Sequence, residues 1–253
     1  MNRIAILTSG GDGPGLNACI RAATRTALQN DVEVFGVQWG YKGLVGGDIN
    51  QLTSRDVGGI LGKGGTILGT ARCPEFTELK VRRSALRNMN QRGIEGLIVI
   101  GGNGSLAGAL ALHEMDFPVI GIPASIDNDI NGTNMAVGVD TTLDTIVDAI
   151  DRIKDTASSH QRAFLIEVMG RNCGYLGLVS GLAGGAELIL LPEREGPTLE
   201  EIADVVVEAY VRGKGHCIVV IAEGWKPGTQ AVADHLSSQK EDLGFDVRVT
   251  VLG

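Results

Sequence analysis

Two aspartates that lie close together in the sequence, Asp127 and Asp129, are the residues best suited to do chemistry. They follow an apolar run, 118–122, that is typical of a strand, and in an extended chain their carboxylates would project to the same side. Neighbouring carboxylates repel each other unless a cation or a donor lies between them. Phosphoryl transfer has a use for both, because one carboxylate takes the proton of the acceptor hydroxyl while the other holds magnesium. The alternative is an Asx-rich surface turn.

Two glycine-rich turns each follow an apolar run and precede a helical pattern. The first covers residues 10–15 and the second covers residues 101–105. Backbone amides at the start of a helix bind phosphate, so each turn is a candidate anion site. Neither turn matches the dinucleotide-binding or P-loop motif, and one such turn alone is equally well explained as a tight turn with positive φ. Two of them at strand ends in one sheet favour phosphate binding.

Three arginines would supply the positive charge that phosphates need in an acidic chain of formal net charge −8. Arg72, Arg162 and Arg171 lie in or beside polar or glycine-containing segments. A guanidinium group binds phosphate through two parallel hydrogen bonds. Any one of these arginines is explained by a solvated surface charge, but three of them at strand ends favour anion binding. The sequence assigns no catalytic role to a histidine.

The composition is that of a folded protein with an excess of glycine. Of 253 residues, 43% are hydrophobic, 21% are charged and 37 are glycine, which excludes a disordered chain and argues against a fibrous one. The four cysteines form no CxxC pair, which argues against a disulfide framework and a zinc site. The acidic charge argues against nucleic-acid binding. With no long apolar run and no signal-peptide pattern at the N-terminus, we expect a cytoplasmic protein without a membrane partner.

Short apolar segments alternate with helical patterns, which is typical of parallel strands covered by helices on both faces. The clearest amphipathic helix is 140–156, and Thr198 is predicted to cap a helix over 198–212. We predict an α/β fold with doubly wound, mostly parallel sheets in two Rossmann-like subdomains, a nucleotide-binding one over 1–137 and a sugar-phosphate-binding one over 138–253. The remaining predicted strands are 3–8, 32–37, 96–100, 163–168, 188–191, 217–222 and 247–253, and the remaining predicted helices are 16–28, 81–92 and 106–113.

Seven ordered motifs, spread over essentially the whole chain, resemble those of the ATP-dependent 6-phosphofructokinase family. A chance match to all seven at compatible spacing is not credible. The motifs are GGDGPGLNA (10–18), GGTILGTAR (64–72), GGNGS (101–105), SIDND (125–129), SSHQR (158–162), EVMGR (167–171) and SGLAGGAE (180–187).

This resemblance implies transfer of the γ-phosphoryl group of ATP to the 1-hydroxyl of fructose 6-phosphate, with Mg²⁺ as cofactor. It implies that Asp127 is the catalytic base, that Arg171 stabilises the transferring group, that Ser125 is a further catalytic position, and that Asn103 and Asp129 are metal positions. The implied nucleotide contacts are Gly11, Tyr41 (near the adenine), Arg72, Cys73, Gly102, Asn103, Gly104 and Ser105. The implied sugar-phosphate contacts are Ser125, Asp127, Arg162, Met169, Gly170, Arg171, Glu223 and Arg248.

The resemblance also implies self-association, usually into a homotetramer, because Arg162 and Arg248 match arginines that reach fructose 6-phosphate in a neighbouring subunit. Many bacterial members bind allosteric effectors at positions that match Arg21, Arg25, Arg55, Lys154, Arg212, Lys214 and His216. The effector pattern is kept only in part, since Gly215 replaces a usual lysine and Arg55 is out of register.

Three sets of residues depart from the family pattern. Asn103 stands where the family usually has a magnesium-associated aspartate, so metal affinity falls or Asp129 carries more of the task. Ser125 replaces a common threonine, which we expect to be tolerated. Gly104 and Ala124 stand where pyrophosphate-using relatives usually carry an aspartate and a lysine. An aspartate at 104 would repel an α-phosphate, so ATP is the favoured donor.

The largest departure lies at Gly253, where family chains continue into a His-Ile-Gln-Arg-Gly-Gly motif and several tens of further residues. That segment adds a histidine and an arginine to the sugar-phosphate pocket, so we expect weak or absent activity and poor solubility from a chain that ends here. Two alternatives to an ATP-dependent kinase stay open: the pyrophosphate-dependent version of the same reaction, and a non-catalytic nucleotide-binding or regulatory subunit or inactive fragment. Asn103 and the missing segment favour the second of these.

Overall fold

The structure is a computed structural model that describes residues 1–239 and 246–253. It divides the chain into two compact units. Unit 1 contains Met1–Ser125 and Asp129–Gly138, and unit 2 contains Ile126–Asn128 and Val139–Gly253. The chain therefore leaves unit 1 and returns to it around the short segment that carries Asp127.

Unit 1 is built on a five-stranded sheet. Its strands are β1 (Arg3–Ser9), β2 (Glu33–Val37), β3 (Ile49–Leu52), β4 (Gly96–Gly101) and β5 (Val119–Pro123). Their order is β3-β2-β1-β4-β5; every pair is parallel except β2 and β3, which are antiparallel. The sequence patterns did not predict β3, because only Ile49 and Leu52 of this short edge strand are buried.

Helices cover both faces of this sheet, as predicted. They are α1 (Leu16–Gln29), α2 (Gly40–Gly46), α3 (Leu79–Gln91) and α4 (Asn103–His113), with a 3₁₀ turn at Pro74–Thr77. α1 buries Leu16 and Ile20 against the face that carries Ile6. α2, α3 and α4 pack on the opposite face, which carries Ala5 and Leu7. The sequence patterns did not predict α2, whose three glycines lower its helix propensity.

Unit 2 is built on a second, fully parallel sheet of four described strands. The strands are β6 (Arg162–Val168), β7 (Leu188–Leu190), β8 (His216–Ala222) and β9 (Asp246–Leu252), in the order β7-β8-β6-β9. The helices are α5 (Val139–His160), α6 (Tyr175–Ala183), α7 (Leu199–Val211) and α8 (Thr229–Ser238). α7 and α8 bury Ile202, Val206 and Leu236 on one face, and α5 packs with α6 and with β6.

The predicted α/β fold with two mostly parallel sheets is therefore confirmed. The long amphipathic helix predicted over 140–156 is confirmed as α5, which extends further, to His160. α6 was missed because its sequence is rich in glycine and short. None of the helices in residues 1–239 and 246–253 combines the length and the apolar character of a membrane-spanning helix.

The predicted cap of α7 is present as a full capping box. The Thr198 side chain accepts a hydrogen bond from the Glu201 N–H (3.2 Å), and the Glu201 carboxylate accepts one from the Thr198 N–H (2.8 Å). Two N–H groups that the helix itself leaves without partners are satisfied in this way.

Replacing Thr198 with alanine removes one half of this capping box. We expect Thr198→Ala to lower the free energy of unfolding by about 1 kcal/mol, because the Glu201 N–H loses its acceptor. Urea denaturation followed by circular dichroism measures the change. Thr198→Ser, which keeps the hydroxyl, is the control and should stay close to the parent; an equal loss in both variants would contradict the capping role.

Candidate active site

The two glycine-rich turns lie side by side in unit 1, as predicted. β1 and β4 are neighbouring parallel strands with Ser9 opposite Gly101, so both turns leave the same edge of the sheet. The fit is close, because a Cβ atom at position 101 would overlap the Ser9 carbonyl oxygen and the Ser105 side chain. Gly10 has a φ of 95°, which also favours glycine. Gly11 follows it in the first turn.

The second turn runs directly into α4. Gly102 is the residue before the helix, and its carbonyl oxygen accepts the N–H groups of Ser105 and Leu106 (both 3.0 Å). The start of an eleven-residue helix presents N–H groups and the positive end of the helix dipole. A Cβ atom at Gly104 would meet no atom within 4 Å, so the helix start is open beside this residue. The arrangement suits a phosphate group.

Two polar side chains fasten the segment before Arg72 to the first turn and to the start of α1. Asn17, only 1% exposed, accepts the Ile67 N–H (2.8 Å) and also donates to carbonyl oxygens of the same segment. The Thr70 hydroxyl donates to the Gly10 carbonyl oxygen. No sequence pattern predicted a role for Asn17. The signal that would have found it is a polar residue on the apolar face of the predicted helix 16–28.

Tyr41 and Cys73 belong to the apolar cluster on the face of the sheet that carries Ala5 and Leu7. Tyr41 is 5% exposed, its ring stacks on Phe76 with centroids 4.1 Å apart, and its hydroxyl donates to the Ser105 carbonyl oxygen (2.6 Å). Burial raises the pKa of Tyr41, which keeps this donor protonated. Burial, together with the charge of Glu75, raises the pKa of the Cys73 thiol. Tyr41 therefore supports the backbone of the second turn; its contact with adenine stays a prediction.

Asp127 is a nearly buried carboxylate in unit 2. It is 7% exposed, and its Oδ2 atom lies 3.3 Å from Nε of Arg171, whose side chain is 77% exposed. Asn128 has a φ of 53°, a left-handed conformation that asparagine tolerates better than most residues. The chain therefore turns between Asp127 and Asp129. The extended geometry that would project both carboxylates to one side is wrong.

The turn that carries Arg171 follows β6 and is held by Glu223, which follows β8. One oxygen of the Glu223 carboxylate, Oε1, accepts the N–H groups of Gly170 (3.1 Å) and Arg171 (2.6 Å). The Glu223 N–H donates to the carbonyl oxygen of Val168 (2.9 Å), the last residue of β6. Gly170 and Arg171 both have positive φ, 133° and 53°. Met169, which precedes them, is partly exposed.

A second carboxylate supports the far end of the same loop. Glu193 accepts the Gly174 N–H at 2.6 Å. A Cβ atom at Gly174 would crowd the Glu193 carboxylate, and one at Gly224 would overlap the Arg171 carbonyl oxygen. No sequence pattern predicted a role for Glu193 or Gly224, because their contacts join distant parts of the chain.

The two predicted metal positions lie close together in unit 1. Nδ2 of Asn103 donates to the backbone carbonyl oxygen of Asp129 at 3.5 Å, which leaves the amide oxygen and the Asp129 carboxylate as oxygen donors. Within the described ranges, no group of three or more histidine, cysteine or acidic residues could enclose a metal. Mg²⁺ is commonly bound by one or two protein oxygens plus phosphate and water, so this donor set fits Mg²⁺ bound with a polyphosphate. Ser125 lies beside Gly102 in the same unit.

Arg162 and Arg248 lie away from the Arg171 turn. Arg162 is the first residue of β6, whereas the turn follows the last residue of that strand. Seven residues of extended chain span about 20 Å, which is beyond the reach of an arginine side chain. Arg248 lies on β9 opposite Phe164, and its side chain is largely exposed. The structure therefore does not bring these two arginines to the Arg171 turn of the same unit.

The predicted effector residues are divided between the two units. Arg21, Arg25 and Arg55 belong to unit 1, and Lys154, Arg212, Lys214 and His216 belong to unit 2. In unit 1, Arg21 donates to the Val57 carbonyl oxygen (2.7 Å). In unit 2, Lys214 pairs with Glu187 (2.7 Å). Effector binding at these residues stays a prediction.

Comparison with known proteins gives consistent matches over the whole chain. The family model described as phosphofructokinase matches residues 3–253. ATP-dependent 6-phosphofructokinases from Staphylococcus epidermidis and Aquifex aeolicus are 51% and 52% identical to this chain. The matches cover 100% and 99% of this chain and 78% of each relative. A structure of phosphofructokinase from Saccharomyces cerevisiae superposes with a TM-score of 0.91 at 38% identity, covering 100% of this chain and 38% of the yeast chain.

The superposition on the yeast structure agrees with the α/β fold described above. The identity to these relatives is near 50% over the whole chain, and the chain covers more than two thirds of each. The similarity therefore extends beyond the fold. The chain belongs to the phosphofructokinase family.

Proposed function

We propose that this protein transfers the γ-phosphoryl group of ATP to the 1-hydroxyl of fructose 6-phosphate. The observation that carries the proposal is the nearly buried Asp127 carboxylate paired with Arg171, in a chain half identical to ATP-dependent 6-phosphofructokinases. A carboxylate in this setting is suited to accept the proton of an attacking hydroxyl, and a guanidinium is suited to a phosphoryl group that gains negative charge. Together they meet the two needs of phosphoryl transfer.

Unit 1 binds the nucleotide in this proposal. The N–H groups of the two glycine turns and the start of α4 hold phosphate oxygens, and Arg72 adds positive charge after the segment that Asn17 fastens. The open space beside Gly104 leaves room for the α-phosphate of ATP. Because the phosphates are held largely by backbone amides, the protein binds a polyanion in spite of its net charge of −8.

Unit 2 binds the sugar phosphate and supplies the base. Asp127 accepts the proton of the 1-hydroxyl as its oxygen attacks the γ-phosphorus, while Arg171 stabilises the charge on the transferring group. The arginine must release the carboxylate at least in part to do so, and its exposed side chain leaves it free to move toward a phosphate. Ser125, just before this segment, offers a hydroxyl for orientation.

Mg²⁺ completes the site in this proposal, held by the Asn103 amide oxygen and the Asp129 carboxylate. Bound there with the polyphosphate, it would neutralise phosphate charge. The Asn103 amide brings no negative charge of its own, so Asp129 provides the one anionic protein donor of this pair.

We also propose that the functional assembly is an oligomer in which Arg162 and Arg248 reach fructose 6-phosphate bound to another copy of the chain. The position of Arg162 at the opposite end of β6 from the Arg171 turn supports this, since it cannot serve the turn of its own chain. Most homo-oligomers are symmetric, so each copy would both give and receive these arginines.

Replacing Asp127 with asparagine tests the catalytic base. We expect Asp127→Asn to lower kcat by about 10²–10⁴-fold, because general base catalysis is lost, while ATP binding stays within about threefold. A coupled assay of fructose 1,6-bisphosphate formation and calorimetry with ATP provide the two measurements. Asp204→Asn, an exposed change of equal charge on α7, is the control. Turnover that Asp127→Asn leaves unchanged would exclude this residue as the base.

Replacing Gly104 with aspartate tests the choice of donor. We expect Gly104→Asp to lower kcat/KM for ATP by about 100-fold, because a carboxylate a few ångströms from the α-phosphate is repelled by it. Gly104→Asn has the same shape without the charge and should lose much less. The same assay with pyrophosphate as donor gives the comparison: faster turnover with pyrophosphate than with ATP in the parent protein would favour the alternative donor.

Mixing two inactive variants tests the shared site. We expect Asp127→Asn and Arg162→Ala to be nearly inactive alone but to regain activity when co-assembled. Random mixing restores about a quarter of the sites. A restored site takes its intact Asp127 from an Arg162→Ala copy and its intact Arg162 from an Asp127→Asn copy. Turnover of the mixture against its two parents is the measurement. A mixture no more active than its parents would place Arg162 outside the shared site.

A further inference from the structure

Two consecutive residues after β8 contact the backbone of Arg171: Glu223 contacts its N–H group and Gly224 its carbonyl oxygen. Glu223 Oε1 accepts the N–H of Arg171 at 2.6 Å and that of Gly170 at 3.1 Å. The Arg171 carbonyl oxygen lies so close to Gly224 that a Cβ atom there would overlap it. Because Gly224 has no positive φ, its lack of a side chain is explained by this approach and not by its own conformation.

These two contacts are needed because the backbone of the turn is strained. Arg171 has a φ of 53°, in the left-handed region that residues with a Cβ atom rarely occupy, and Gly170 before it has a φ of 133°. Such a conformation persists only where surrounding contacts enforce it. The two N–H groups that point at one carboxylate oxygen provide that enforcement.

The direction of the Arg171 side chain depends on this turn. Its side chain is 77% exposed, so packing does little to aim it, yet Nε lies 3.3 Å from Oδ2 of Asp127. The conformation of the backbone at Arg171 therefore decides where the guanidinium points. Glu223 is the one charged group that fixes this backbone among the hydrogen bonds described for the turn.

We propose that Glu223 is a positioning residue, which acts on phosphoryl transfer through Arg171 in addition to any contact with the sugar phosphate. The inference rests on the proposed function in one respect, namely that Arg171 and Asp127 work on the reacting groups. One oxygen of Glu223 does the positioning, so a neutral side chain with an oxygen at the same place would do it as well.

A double-mutant cycle tests the proposal. We expect Glu223→Ala to lower kcat by about 10²-fold, because a misplacement of about 1 Å is enough for such a loss. Added to Arg171→Ala, it should lower kcat no further, since the two residues act as one unit. Glu223→Gln keeps the acceptor oxygen, so its kcat should fall much less than that of Glu223→Ala, whatever the change does to KM for the sugar phosphate. Losses in kcat that multiply in the double variant, or a Glu223→Gln variant as slow as Glu223→Ala, would overturn the proposal.

Two further variants separate positioning from sugar contact and from general destabilisation. Gly224→Ala adds a Cβ atom that overlaps the Arg171 carbonyl oxygen. We expect it also to lower kcat, and to cause no further loss of kcat when combined with Arg171→Ala. Glu193→Ala removes a carboxylate that holds the Gly174 N–H of the same loop. It is the matched control and should leave kcat within about threefold. A Glu193→Ala loss as large as that of Glu223→Ala would reduce Glu223 to a general loop support.

A measurement without turnover keeps this inference separate from the proposed function. In ¹⁵N spectra of the full chain, the Nε–Hε signal of Arg171, assigned from its absence in Arg171→Lys, should be distinct in the parent and in Glu223→Gln. It should move to the position of a solvated arginine in Glu223→Ala and Gly224→Ala. An unmoved signal in Glu223→Ala would refute the positioning role, whereas this pattern in a protein that forms no fructose 1,6-bisphosphate would refute the proposed function alone.

Discussion

The pairing of a nearly buried carboxylate with a guanidinium, Asp127 with Arg171, is the interaction on which the rest of the site depends. A carboxylate removed from water is costly unless a donor or a positive charge compensates it. Here the compensating charge comes from Arg171, on a strained turn after β6, and Glu223 after β8 holds the backbone of that turn. The pairing of β6 with β8 therefore determines which charged group lies beside Asp127.

In the proposed function, unit 1 meets a different electrostatic requirement, which is to hold a polyphosphate in a chain of net negative charge. Its sheet brings two glycine turns to one edge, and the absence of Cβ atoms at positions such as Gly101 lets the backbones approach each other closely. Backbone amides and a helix start provide the positive potential without any buried lysine or arginine. In that proposal, an acidic protein can therefore bind an anionic ligand.

In both units, loop conformations are stabilised by the same kind of hydrogen bond. A polar side chain from a distant segment takes up the hydrogen-bonding groups of the loop backbone: Asn17 in unit 1, and Glu223 and Glu193 in unit 2. Loops fastened in this way hold their N–H groups and charges in fixed directions before a ligand arrives. Electrostatic stabilisation of a transition state requires this kind of preorganisation.

The sequence by itself determined the features that depend on near neighbours in the chain. Continuous apolar runs predicted β1, β4, β6 and β8, helical periodicity predicted α5, and Thr198 predicted the cap of α7. The glycine turns and the acidic segment after β5 could also be recognised, because their chemistry lies in short motifs. The weak signals of β3 and α2 could not, since one is half exposed and the other is rich in glycine.

Only the tertiary structure decided what the motifs contact. The left-handed conformation of Asn128 cancels the expected alignment of Asp127 with Asp129. Glu223 reaches a turn 52 residues earlier in the chain, and no local pattern records such a partner. Tyr41 reaches the Ser105 carbonyl oxygen because Gly108 of α4, which has no side chain, leaves room for its ring. A motif reflects the geometry of neighbouring residues, whereas long-range hydrogen bonds form only when folding places distant strands side by side.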